Sequence, residues 1–275
     1  MPLVISGPGI PEGVETQAMA NGLDFYPTIL NWTGTAKPAG QQLDGLDLHP
    51  FLTSPGLDPG LIRGADGTPR DTMMWHFPHG PNQSTIRRGG FKLIRKWREY
   101  LLGEEGALEL FQLYDDAGER VDIEESRNLA SEMPELATEL DELLEEQMQE
   151  MGASYPMVNP AHARRAAGHD RVPAPRKALV KNGYAVLTYE HRGSGVTRAH
   201  LVYTENGGEK YEEWFRADAD IHAAQGKIRA KIPAGATHYV FSMEDENGFH
   251  VGYPDLYEGK KDRKFLSESA IAVGE

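Results

Sequence analysis

Two histidines, His76 and His79, and six cations, Arg87, Arg88, Lys92, Arg95, Lys96 and Arg98, fall within the stretch TMMWHFPHGPNQSTIRRGGFKLIRKWR, residues 72–98. No acid interrupts the cations before Glu99. Such a run can wall a pocket for an anion, because guanidinium groups fork onto paired oxygens and ammonium groups add point charges. The chemistry open to it is binding rather than attack. The chain has no cysteine, which rules out a thiolate nucleophile, a disulfide and a zinc–thiolate site. His76 and His79 stand three residues apart on an extended segment bent by Pro78, so they need not share a face. No carboxylate or third histidine lies at ligand spacing beside them, which counts against a metal role.

The elements that would position these residues can be read from periodicity. TMMWHFP (72–78) and STIRRGGFKLIRKW (84–97) read as strands, with Gly89-Gly90 as a hairpin turn between two of them. LELFQLYDDAGER (108–120) adds a strand that ends in an Asp-Asp-Ala-Gly turn. SEMPELATELDELLEEQMQEM (131–151) reads as a helix with Pro134 in its first turn. Leu136, Leu140, Leu143, Leu144, Met148 and Met151 make its apolar stripe. This helix is expected to lie on the sheet. Upstream, PLVISG (2–7) reads as a short apolar strand, and residues 18–33 read as a helix that Asp24 caps. GLDLHPFL (45–52) reads as a turn and short helix, and the Pro/Gly-rich residues 54–70 as a loop.

Residues 156–177 lose all periodicity and gain proline and arginine. After them, short alternating segments recur at 184–191, 198–205, 211–218, 226–233, 238–245 and 250–254, separated by Asn-Gly turns. The expected fold is therefore α+β: a small antiparallel sheet with a packed C-terminal helix, followed by an all-β sandwich of immunoglobulin or fibronectin type. The expected boundaries are 1–160, a linker at 161–178, and 179–275.

A net charge of −14 argues against general nucleic-acid binding. The acidity is local: residues 99–150 hold eighteen acids against Arg120 and Arg127. That run reads first as a solvated helix face. No basic segment followed by an apolar run opens the sequence, so no signal peptide is expected. No stretch approaches 18 uninterrupted apolar residues, so no membrane-spanning helix is expected.

Residues 2–160 resemble the C-terminal part of the type I, formylglycine-dependent sulfatases of the alkaline phosphatase-like fold. The resemblance runs in order through PLVISGPGIPEGV, GLDFYPTILNWTG, LDGLDLHPFL, WHFPH with STIRRGGFKLI, and ELFQLYDDAGERVDIEESRNLASEMPEL. It implies hydrolysis of sulfate esters by a formylglycine hydrate, with a calcium ion held by aspartates and an Asp-Asn pair, often in a periplasmic or secreted enzyme. It also implies a sulfated saccharide as substrate. The sequence departs from that pattern where the chemistry lies. It has neither the Cys/Ser-x-Pro-x-Arg motif (Ser154-Tyr155-Pro156 lacks the arginine) nor any Asp-Asn pair. The reading that follows is a sulfatase C-terminal region, from a truncated or split reading frame, with calcium and formylglycine supplied elsewhere.

Within that reading His76, His79, Arg87 and Lys92 are the candidates for substrate contact. The alternatives are ordinary loop histidines, a Lys92 whose stem packs on the sheet, and cations paired with the acidic run. Trp75, Phe77, Trp97 and Phe111 read as packing aromatics. The alternative reading, on the basic and aromatic stretch 75–98 together with the sandwich, is a non-catalytic module that binds anionic polysaccharide.

Overall fold

The computed structural model describes residues 3–160, 163, 166–256 and 263–274. The chain divides into two compact units, Met1–Ser154 and Tyr155–Glu275. It is a mixed α/β protein with few helices and several antiparallel sheets.

The first unit is built around the sheet β1 (Thr72–Phe77), β2 (Gln83–Arg88), β3 (Phe91–Lys96) and β4 (Leu108–Gln112), antiparallel and in chain order. The β2–β3 turn depends on its glycines. Gly89 has φ +55°, and a Cβ on Gly90 would stand 2.2 Å from the Tyr114 carbonyl oxygen. The Gly90 carbonyl accepts from Leu113 N–H at 2.7 Å, which ties the turn to the end of β4.

Helix α4 (Pro134–Glu150) packs against all four strands. Ala137, Leu140, Leu144 and Met148 are its buried stripe, and Ile86, Leu93 and Leu110 are fully buried on the sheet. Leu136 and Leu143 are half-buried and Met151 is exposed, so the stripe is narrower than the leucine pattern implied.

Upstream, α1 (Phe25–Thr33) packs beside α2 (His49–Leu52). The core here is Leu48, Phe51, Leu52, Leu57 and Ile62. Two expectations fail in this region. Residues 3–7 are not a strand: they pair with nothing among the described residues, and Leu3 and Val4 are exposed. Without a neighbouring strand an apolar pattern has no ladder to join. Asp24 does not cap α1 with its side chain. A 3-10 turn, Gly22–Asp24, precedes the helix, and Asn21 caps that turn instead.

The second unit contains two antiparallel sheets. One has the order β5 (Ala174–Lys181), β6 (Tyr184–Glu190), β10 (Lys227–Lys231), β9 (Asp220–His222). The other has the order β12 (His250–Tyr253), β11 (His238–Asp245), β7 (Val196–Thr204), β8 (Trp214–Asp218), and the short β13 (Ile271–Ala272) also pairs with β11. Alternate residues of both sheets meet in one core: Leu187, Ile228, Leu201, Tyr239 and Phe241 are all fully buried.

β5 starts inside the segment read as a linker to residue 178. It is an exposed edge strand with a register shift between Pro175 and Lys177, so it carries no apolar alternation to read. Residues 161, 162, 164 and 165 of that linker lie outside the described residues.

Candidate functional site

The two faces of the β1–β4 sheet separate the candidate residues. Register pairs His76 with Ser84, and Ser84 with Arg95. Arg88 and Arg95 on this face pair with Glu139, Asp141 and Glu145 of α4, so it is the helix side. Since side chains alternate along a strand, the opposite, outer face carries Met73, Trp75, Phe77, Gln83, Thr85, Arg87, Lys92, Ile94 and Lys96; Met73, Thr85 and Ile94 are buried there, Ile94 in a small core with Phe111 and Leu113. His76 therefore cannot share a pocket with Arg87 and Lys92.

His76 sits in a hydrogen-bond chain on the helix side. Ser84, fully buried, accepts from Trp97 Nε1–H at 2.7 Å. Its own hydroxyl lies 2.6 Å from His76 Nδ1. His76 Nε2 lies 2.9 Å from the Ser154 carbonyl oxygen. A carbonyl can only accept, so Nε2 carries a proton, and Ser84 has its hydroxyl proton to give to Nδ1. The Trp97 ring meets the imidazole edge-to-face at 6.0 Å. This chain joins β1, β2, the start of the short helix α3 (Trp97–Leu102) and the segment after α4. Both ring nitrogens are thus used within the unit.

The cation run is largely neutralised by the acidic segment that follows it. Lys92 pairs with Glu125, Lys96 with Glu109, Arg98 with Glu99 and Glu104, and Arg88 with Glu139. Arg95 is the deepest, 1% exposed, with Asp141 and Glu145 each at 2.7 Å and the rings of Trp97 and Tyr100 beneath its guanidinium. Burial alone would lower its pKa. The two carboxylates outweigh that and hold it above the ordinary arginine value.

Among the described residues Arg87 is the one member of the run with no carboxylate partner. It lies over the Tyr114 ring at 5.1 Å and donates weakly to the Gly89 carbonyl at 3.4 Å. His79 is exposed in the turn after β1. Trp75 and Phe77, expected to pack inward, are 37% and 47% exposed on the outer face of an edge strand, whereas Trp97 and Phe111 are buried. The outer face thus offers two exposed aromatic side chains, Gln83, and one guanidinium without a carboxylate partner among the described residues.

A second cluster stands out that sequence reasoning did not assemble. Asp24, fully buried, receives four hydrogen bonds: two from Arg70 at 2.7 Å, and one each from the Asn21 and Leu46 N–H groups at 2.8 Å. Burial pushes its pKa up, but Arg70 and the two backbone donors outweigh burial and leave it below the usual carboxylate value. Buried Thr28 donates to the Asp24 carbonyl and accepts from Leu48 N–H. Gly45 completes the fit, since a Cβ there would stand 2.0 Å from the Leu23 carbonyl oxygen. GLDFYPT and LDGLDL are therefore two halves of one clamp. The spacing of Asp24 from Arg70, 46 residues, hid the pairing from any local pattern.

Among the described residues no three His, Asp or Glu side chains come together that could hold a metal ion. No helix among the described residues is long and apolar enough to cross a membrane.

No family model matches the chain. About half of it is similar to arylsulfatase K. Identity is 32% over 148 residues to the protein of Danio rerio, covering 52% of this chain and 25% of that one. It is 29% over 144 residues to that of Gallus gallus, and 28% over 144 residues to that of Homo sapiens, each again covering 52% of this chain and 25% of the relative. The matched half of the chain is thus sulfatase-related, and the chain spans about a quarter of the length of these relatives.

Proposed function

We propose that the first unit is the substrate-side part of a sulfuric ester hydrolase acting on sulfated saccharides, and that the 275-residue chain turns over no sulfate ester by itself. The observation that carries this reading is the arylsulfatase K similarity over about half the chain. The sulfur-attacking apparatus, with its formylglycine and calcium, belongs to sequence outside these residues. The second unit, with two sheets around one core, fits an appended sandwich that spaces or presents the first.

The outer sheet face is the proposed contact surface. Trp75 and Phe77 present ring faces on which a sugar ring can stack. Arg87 can fork onto a sulfate or a sugar carboxylate, and His79 lies at the turn beside them. His76 and Lys92 are supports rather than contacts, because the first is hydrogen-bonded on the helix side and the second is paired with Glu125. Groups that hold substrate equally in ground and transition state lower KM without raising kcat.

Two measurements test the reading. The purified chain is assayed on a chromogenic aryl sulfate, and turnover that survives repeated purification would overturn the proposed inactivity. A calorimetric titration with a sulfated oligosaccharide at low salt, where charge contributes most, then compares the chain with Arg87→Ala. A loss of about 10–150-fold in the variant, the size of one net hydrogen bond to a charged group, is expected. Identical titrations would remove Arg87 from the surface. Binding by the lone chain that is tight and survives physiological salt would favour a stand-alone polysaccharide-binding module instead.

A further inference from the structure

The two long helices of the first unit treat their apolar residues in opposite ways. α4 buries its stripe to 4% exposure or less. α1 buries only Thr28, a polar residue. Phe25, Ile29 and Trp32 stand at i, i+4 and i+7, with Tyr26 beside them, so they share one side of the helix. Their exposures are 40%, 52%, 47% and 44%, and Leu23 in the preceding turn is 59% exposed. A nine-residue helix is too short to persist on propensity alone. It is held from behind by the Asp24–Arg70 clamp and by α2. The clamp fixes α1 in place and turns its apolar side to solvent. Contiguous exposed apolar residues of this kind mark a contact surface.

The comparison with the relatives points to the occupant. The relatives are about four times as long as their matched portion. The helix itself lies in GLDFYPTILNWTG, one of the stretches that carry the sulfatase resemblance.

We infer that the Phe25–Tyr26–Ile29–Trp32 side of α1 seats the sulfatase-like catalytic segment that completes the active protein, rather than a second copy of this chain. This inference rests on the functional reading above. It adds the surface through which the two parts join.

The absence of cysteine makes the test direct. Single variants Ile29→Cys and Tyr26→Cys report on the stripe. Tyr211→Cys, at a residue 79% exposed in the second unit, is the control. Each full-length chain is reacted with a maleimide alone, and then when co-expressed with the formylglycine-motif segment encoded beside it in the source genome. Modification is read by mass spectrometry on the chain's own peptides. Circular dichroism confirms that each variant is folded.

Both stripe positions should react freely in the chain alone and about tenfold more slowly in the pair, as expected for groups shielded except on transient opening. The control should change less than about twofold. Unchanged labelling of both stripe positions in a complex that does form would overturn the inference and leave the functional reading standing. Protection in the lone chain, with a doubled mass by light scattering, would assign the stripe to a second copy and overturn it as well. A source genome that encodes no formylglycine-motif segment would overturn the functional reading, and the inference with it.

Discussion

Replacing His76 with alanine should weaken the first unit and leave saccharide binding intact. The magnitude follows from what the ring holds. Removing it strands the Ser84 hydroxyl proton, in a side chain with no access to water, at a cost of about 1–3 kcal/mol. The edge-to-face contact with Trp97 is worth about 0.5–1.5 kcal/mol more. The Ser154 carbonyl is exposed, so water replaces the imidazole there at little cost. Together these give about 2–4 kcal/mol. For a unit of this size, about 3 kcal/mol lowers the melting midpoint by roughly 6–12 °C. The assay can isolate the unit by fluorescence. Three of the four tryptophans, Trp32, Trp75 and Trp97, lie in it, and Trp214→Phe silences the other unit. The reasoning would be refuted if His76→Ala kept its midpoint and lost affinity for a sulfated oligosaccharide, because His76 would then be touching ligand.

Gly45→Ala should be among the most damaging single substitutions in the unit. Its Cβ would collide with the Leu23 carbonyl oxygen, so the expected loss is about 3 kcal/mol or more by overpacking, measurable by urea denaturation. Asp24→Ala strands the Arg70 guanidinium with two backbone donors, and a loss of about 3–5 kcal/mol is expected. The Asp24 pKa is lower folded than unfolded, so its stabilisation is present above about pH 4 and drains away as pH falls through the folded value. A melting series from pH 6 to pH 3 should therefore fall less steeply for Asp24→Asn than for the parent. In the second unit, burial holds His250 below its ordinary value, with Glu244 opposing and His200 reinforcing. The unfolded chain then takes up the proton first, and that unit should lose stability as pH falls below about 6.5. His250→Gln should flatten that slope in a Trp214 fluorescence melt.

Elements with their own periodicity were legible. The strands of the first sheet and α4 lie within a few residues of where alternation and the leucine pattern place them. Gly89-Gly90 marked its hairpin, Gly89 by its positive φ and Gly90 by its close approach to the Tyr114 carbonyl. What stayed hidden depended on distant partners. Asp24 carries every local sign of a helix cap, yet Arg70 and the Leu46 N–H group take it. β5 and β9 are edge strands with few apolar residues facing the core, so no alternation announces them. Within the site, His76 and Arg87 lie on different strands, so their opposite faces follow from the β1–β2 register and not from alternation alone. The pairing of Lys92 with Glu125 across 33 residues, and of Arg95 with α4 across about 50, could only be raised as an alternative.

The residues most visible in the sequence and those open to a ligand are thus different sets, for an electrostatic reason. A run of six cations exposed together would repel itself and bind any polyanion through charge alone. The acidic stretch that follows neutralises five of them. It does so from both sides: α4 supplies Glu139, Asp141 and Glu145 to one face, and Glu109 and Glu125 serve the other. An anionic saccharide therefore meets a net-negative chain and gains little from long-range attraction. On the proposed reading attraction is local to Arg87, whose guanidinium lies over the Tyr114 ring, and recognition there would depend on geometry more than on charge count. The stretches GLDFYPT and LDGLDL, which carry part of the sulfatase resemblance, build the clamp that holds α1.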